Sequence, residues 1–118
     1  MASFKCPERK KKYLYALQNW DCAEYIKVPH DHVRDALFAQ FGPDADIERK
    51  IGKMMFTWAF DKPDRIDEVI ENRKGWKNKF SHHFDMRLQM GGVKRYIETV
   101  LVEVDDEPTI LVVNFHDA

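Results

Sequence analysis

Little in this chain could staple it or fix its chemistry by motif. Cysteine occurs only as Cys6 and Cys22, which form no Cys-x-x-Cys pair, so neither a disulfide framework nor a cysteine zinc knuckle is supported. Both thiols are read as reduced, half-buried packing residues, because free cysteine behaves as a small hydrophobe. Long apolar runs are absent too: the longest, Met54 to Phe60, is interrupted by Thr57 and is too short to cross a bilayer, so no membrane partner is expected. Met1, Ala2, Ser3 and Phe4 lead directly into Lys5 and a basic run, without the apolar core of a signal peptide, which makes a cytoplasmic location the expectation. No phosphate-cradling glycine loop, no Gly-x-Ser-x-Gly elbow and no dinucleotide fingerprint occurs, so no cofactor is expected. Net charge is nearly absent as well, with 19 Lys and Arg against 20 Asp and Glu giving -1.

What is present points to one compact domain over residues 1–118, long enough to bury a core without metal or disulfides. Hydrophobic residues at 44% and aromatics at 13% outweigh the disorder signal of 33% charged residues. From Pro7 to Trp20, the positions Tyr13, Leu14, Leu17 and Trp20 fall on one helical face, and Pro7 is tolerated in the first turn. A second helix is predicted from Asp31 to Phe41, stopped by Gly42-Pro43, and Tyr25 to Val28 between them is either a short strand or a connection. Asp44 or Asp46 caps a third helix with the stripe Ile47, Ile51, Met54, Met55 and Trp58, although Phe56 to Phe60 would also suit a strand. Pro63 opens a predicted fourth helix, Asp64 to Lys74, acidic at its start, basic at its end and closed by Gly75.

Beyond Gly75 the period changes from helical to two. Phe84, Met86, Leu88 and Met90 alternate with Asp85, Arg87 and Gln89, Gly91-Gly92 ends the strand, and strands follow over Val93–Val104 and Thr109–His116 around an Asp105–Pro108 turn. The expected fold class is therefore α+β, with three to four N-terminal helices packed on one face of a C-terminal three-stranded antiparallel meander.

Charge is segregated along this chain even though it cancels overall. Between Arg73 and Arg95 stand seven Lys or Arg against the single Asp85, interleaved with Trp76, Phe80 and Phe84. Such a mixture suits a polyanion with stackable bases, and it nominates Arg73, Lys74, Trp76, Lys77, Lys79, His82, Lys94 and Arg95 as a nucleic-acid-binding belt. From Glu98 to Asp117 there are six acids and no Lys or Arg, so a phosphate would approach from the Arg87 side. Acidic and basic parts of two copies could also pair as a homodimer.

Strand parity decides which side chains meet. Pairing Glu98 opposite His116 puts Lys94, Tyr96 and Glu98 on one face with Asn114 and His116, and Arg87 can join from the neighbouring strand. A one-residue slip replaces Tyr96 and Glu98 by Arg95 and Thr99, and both registers remain open. In either register, Glu98 as base, His116 as acid and Arg87 with Lys94 or Arg95 as phosphate clamps meet the needs of RNA cleavage without a metal. One of His82 and His83 could stack on a base or move a proton. His30 and His32, spaced i, i+2, could chelate a metal from an extended segment, but no second donor pair has matching spacing and no metal site is expected.

The order of helices, the phrase Asp61-Lys62-Pro63-Asp64-Arg65-Ile66 ahead of a helix, and a strand hairpin ending at His116 resemble the small ribonuclease and toxin fold shared by barnase and RelE-type proteins. The stretch from Met86-Arg87-Leu88 through Val104-Asp105-Asp106 to Val112 is similar in rhythm to the closing sheet of RelE-like toxins, although His116 stands where a basic residue usually ends the last strand. The resemblance implies a metal-independent endoribonuclease with Glu98, Arg87 and His116 in those roles, and a protein partner that neutralises it. A different class is the non-enzymatic α+β module resembling cone-shaped NTF2-like proteins, with the Met, Phe and Trp content lining an apolar ligand pocket or the sheet face serving self-association.

Overall fold

The structure, a computed structural model, describes residues 6–22, 24–60, 62–70, 82–90 and 92–117. Helix α1 spans Pro7–Gln18 with Pro7 in its first turn, where a missing N–H costs nothing. It stops at Asn19, whose backbone N–H and side-chain amide both donate to the Tyr15 carbonyl. Helix α2 spans Asp31–Phe41 and ends at Gly42, whose φ of 112° is accessible to glycine alone without strain. Helix α3 spans Ile47–Ala59, with the Asp46 carboxylate accepting from the Arg49 N–H as an N-cap. Its buried residues Ile47, Ile51, Met55 and Ala59 recur every fourth position, so the helical stripe carries through the segment that would also have suited a strand.

The sheet is larger than the expected meander. Its strands are β1 (Ile26–Lys27), β2 (Asp67–Ile70), β3 (His82–Met90), β4 (Val93–Val104) and β5 (Glu107–Asp117), in the order β1-β5-β4-β3-β2. The meander of β3, β4 and β5 forms its centre, β2 adds antiparallel to β3, and β1 adds parallel to β5. The predicted fourth helix is thus a correction: Pro63–Arg65 make a single 3₁₀ turn, and Asp67–Ile70 are a strand. Ile66, Val69 and Ile70 are β-branched, and buried Ile66 and Glu68 alternate with more open Asp67 and Val69, a period of two that a four-residue strand shows only weakly in sequence. The remainder of that predicted helix, from residue 71 on, lies outside the described residues.

All three helices pack on one sheet face. Phe84, Met86 and Leu88 of β3, Ile97 of β4, and Ile110, Val112 and Phe115 of β5 meet Tyr13, Leu17, Val33, Leu37, Ile51 and Met55 in one core. Tyr13 lies 4.7 Å, centroid to centroid, from Phe84. β4 and β5 pair Tyr96 with His116 and Glu98 with Asn114, and then Thr99 with Val112, so Val113 is an extra residue. This bulge flips the alternation of β5, and it leaves Val100 and Val113 buried yet outside the helix-side core. No helix among the described residues is long and apolar enough to cross a membrane.

Candidate functional site

The sheet face opposite α1, α2 and α3 carries two adjacent rows of polar side chains. Antiparallel register places Asp67, Asp85, Glu98 and Asn114 opposite one another on β2, β3, β4 and β5. The next row holds Arg87, Tyr96 and His116. The expected pairing of Glu98 with His116 is off by two residues, which preserves parity: Arg87, Lys94, Tyr96, Glu98, Asn114 and His116 do share a face.

Exposure differs sharply between the rows. Asp85 is 4% and Glu98 2% exposed, and the His83 side chain, on the same face two residues before Asp85, is only 12% exposed. His83 Nδ1 donates to Asp85 Oδ1 at 2.7 Å, a bond that fixes the ring and directs Nε2 away from the carboxylate. Burial pushes the Asp85 carboxyl above the usual aspartate range, while the hydrogen bonds from His83 and Tyr96 pull it back. Desolvation, reinforced by the Asp85 hydrogen bond, raises the Tyr96 phenol far above the ordinary tyrosine value, so it acts as a donor. One donor atom from each of His83, Asp85 and Glu98 lies within 4.8 Å of the others.

The second row is the open one. The Arg87 guanidinium lies 5.4 Å from the Tyr96 ring centroid and donates to Asp67 at 3.1 Å. On the far side of Tyr96, the His116 ring is 4.9 Å away, and its Nδ1 donates to the Asp117 carbonyl at 2.8 Å. Tyr96 therefore stands between Arg87 and His116. Glu98 belongs to the buried row beside Asp85 rather than at the side of His116.

Other nominated residues are dispersed. Arg95 points to the helix side, where it pairs with Asp117, donates to Gln40 at 3.2 Å and lies 5.6 Å from the Phe115 centroid. His82 is also on the helix side, with Nε2 4.0 Å from the buried Glu68 carboxylate that Arg9 holds at 2.7 Å. Phe84 is in the core at 1% exposure, so the belt loses that ring as a stacking platform. These placements put His82 and Arg95 on the opposite sheet face from Lys94, and their cause is strand alternation: neighbouring residues such as Lys94 and Arg95 must face opposite ways. Arg73, Lys74, Trp76, Lys77 and Lys79 lie outside the described residues.

Sequence reasoning missed Asp85 as a site residue and did not join His83 to it. The signal was available, since His83, Asp85 and Arg87 occupy alternate positions of a strand whose other face is Phe84, Met86 and Leu88. His30 and His32 stack at 5.8 Å on the exposed start of α2, and no third donor from the described residues joins them within reach of one ion.

No family model, curated protein or solved structure matches this chain.

Proposed function

We propose that the row Arg87, Tyr96 and His116, with Lys94 further along β4, is a docking surface for a phosphate-bearing ligand, and that RNA is the polyanion it takes. The observation that carries this reading is the row of cation, ring and imidazole across three strands, 5.4 Å and 4.9 Å between its members. A guanidinium beside an aromatic face offers a phosphate contact next to a stacking platform, the two ingredients of sequence-tolerant single-strand binding. Exposed Lys94 adds a second cation on the same face. The acidic β5 end of the sheet leaves the Arg87 side as the approach route, as the charge distribution along the chain suggests.

The nuclease reading keeps Arg87 as clamp and His116 as the proton-transfer group. It loses Glu98 as an accessible base, because a carboxylate 2% exposed and packed beside Asp85 does not meet a bulky RNA 2′-hydroxyl. A second reading, the apolar-ligand module, is favoured by one specific observation. Leu14, Leu17, Phe56, Ala59, Phe60 and Pro63 line a groove of about 270 Å³ between α1, α3 and the 3₁₀ turn. That groove lies among the helices, away from the Arg87 row, so substitutions in one leave the other intact.

Fluorescence anisotropy with a mixed-sequence, end-labelled single-stranded RNA tests the proposal. Binding is expected to weaken steeply with salt, and Arg87→Ala and Lys94→Ala to weaken it uniformly across sequences. Tyr96→Ala is expected to cost about 1–3 kcal/mol, the range for one stacked base. Incubation of the same RNA in chelator then reports catalysis, with any cleavage expected to vanish in His116→Ala. Absence of binding at low salt, or binding that tracks Arg95→Ala on the helix side and ignores Arg87 and Tyr96, would refute the docking surface.

A further inference from the structure

We propose that His83, Asp85 and Glu98 form a binding site for one divalent transition ion, through an imidazole nitrogen and one oxygen from each carboxylate. Their donor atoms already lie within 4.8 Å of one another. Tetrahedral ligand bonds of about 2.0–2.2 Å hold two donors roughly 3.3–3.6 Å apart, so closure around an ion asks for side-chain shifts of up to about 1.5 Å.

Three features make the set a built site rather than a chance crowding of acids. Asp85 and Glu98 are direct partners in the β3–β4 register and His83 precedes Asp85 on the same face, so all three ligands stand on paired backbone in the middle of the sheet. Asp85 and Glu98 are almost fully withdrawn from water, where an ion-carboxylate bond is screened little. The Tyr96 phenol acts on Asp85 from the adjoining row, the kind of outer partner that orients a ligating carboxylate. Donors of one nitrogen and two oxygens without a thiol suit Zn²⁺, Mn²⁺ or Fe²⁺ and disfavour Cu⁺.

Loading the site requires a proton to leave. The hydrogen that bridges His83 Nδ1 and Asp85 Oδ1 at 2.7 Å leaves Nδ1 while Nε2 carries the ring's one N–H, so the imidazole ligates in its neutral form and both atoms turn from each other to the ion. Three protein ligands leave at least one coordination position for water or for an oxygen of an anion held by the Arg87 row. The ion's ligands are residues other than Arg87, Lys94, Tyr96 and His116, so ion binding is measured without RNA and its failure is distinct from failure of RNA docking.

The test uses the whole chain, stripped with a chelator and titrated with Zn²⁺ in a calorimeter and with Co²⁺ in a visible spectrometer. One equivalent is expected to bind, with Asp85→Asn and Glu98→Gln each weakening the affinity at least about tenfold and the double change His30→Ala, His32→Ala leaving it unaltered. Circular dichroism checks that the variants fold. A readout without substitution is the paramagnetic broadening of backbone amide signals by Co²⁺ in the unaltered protein, expected at residues 83, 85 and 98. Failure of the unaltered protein to bind any of these ions, or broadening and affinity loss that follow His30 and His32 instead, would overturn the site.

Discussion

At the scale of single residues, one hydroxyl chain ties α1 to the centre of the sheet. The Thr99 hydroxyl donates to the Phe84 carbonyl at 2.8 Å, so at its 2.7 Å contact with Tyr13 it must accept, and the phenol is the donor. Burial pushes the Tyr13 phenol far above the usual tyrosine range, which keeps that proton in place at any ordinary pH. The two ends of the chain are therefore not equivalent. Tyr13→Phe removes a donor whose acceptor still has work in donating to Phe84, at an expected cost of about 1 kcal/mol. Thr99→Val removes the acceptor of the Tyr13 hydroxyl and withdraws a donor from the Phe84 carbonyl, at about 1–3 kcal/mol. Urea denaturation of the two variants should rank Thr99→Val as the more damaging, and the opposite order would mean the donor assignment is reversed. In the sequence, Thr99 was visible only as a polar position of β4 whose face depended on an undecided register. Its partner is 86 positions away, and strand parity alone does not name such a partner.

At the scale of elements, legibility followed length. Helices α1, α2 and α3, of 12, 11 and 13 residues, repeat their apolar positions often enough to declare a period. β3 did the same in nine residues. β1 has two residues and β2 four, too few for alternation to stand out, and the acidic-to-basic gradient after Pro63 imitated a helix dipole pattern. What holds β1 in place is a close approach that the apolar stripe of α3 does not announce. A Cβ at Gly52 would sit 3.1 Å from Trp20 Cβ and 3.3 Å from Ile26 Cγ1, so the glycine lets α3 press against the chain entering β1. Trp20 Cβ is fixed to its own backbone and cannot yield cheaply. Gly52→Ala would gain about 1 kcal/mol of helix propensity, while overpacking costs about 1–3 kcal/mol. The expected net result is a lower urea midpoint, with the midpoint of an exposed control such as Lys53→Ala little changed; a rise at Gly52→Ala would mean the Trp20 segment moves aside.

At the scale of the molecule, one sheet face packs the core against the helices and the other carries the polar rows, and this division was only half readable. Alternation in β3 and β4 separated the apolar side from Asp85, Arg87, Tyr96 and Glu98, so the polar face could be drawn from the sequence. Its rows could not, because they depend on pairings fixed by the two-residue turn at Asp105-Asp106, where both residues adopt positive φ, and by the bulge at Val113. The grouping of His83 with Asp85 and Glu98 emerges only once β3 and β4 are in register. The same topology predicts how the chain unfolds. β1 lies between α1 and α2 in sequence yet pairs with β5 near the other end, and the Ile110 N–H donates to the Tyr25 carbonyl at 2.8 Å. The helices bury Leu37, Ile51 and Met55 against Ile97, Ile110 and Val112, so removing either part exposes the apolar face of the other. The helical and sheet parts should then open together: native-state hydrogen exchange is expected to give the amides of Ile51 in α3 and Ile97 in β4 the same opening free energy and the same urea dependence. Distinct values at these two positions would show that the helices form a unit stable without the sheet, a result incompatible with a core shared between both layers.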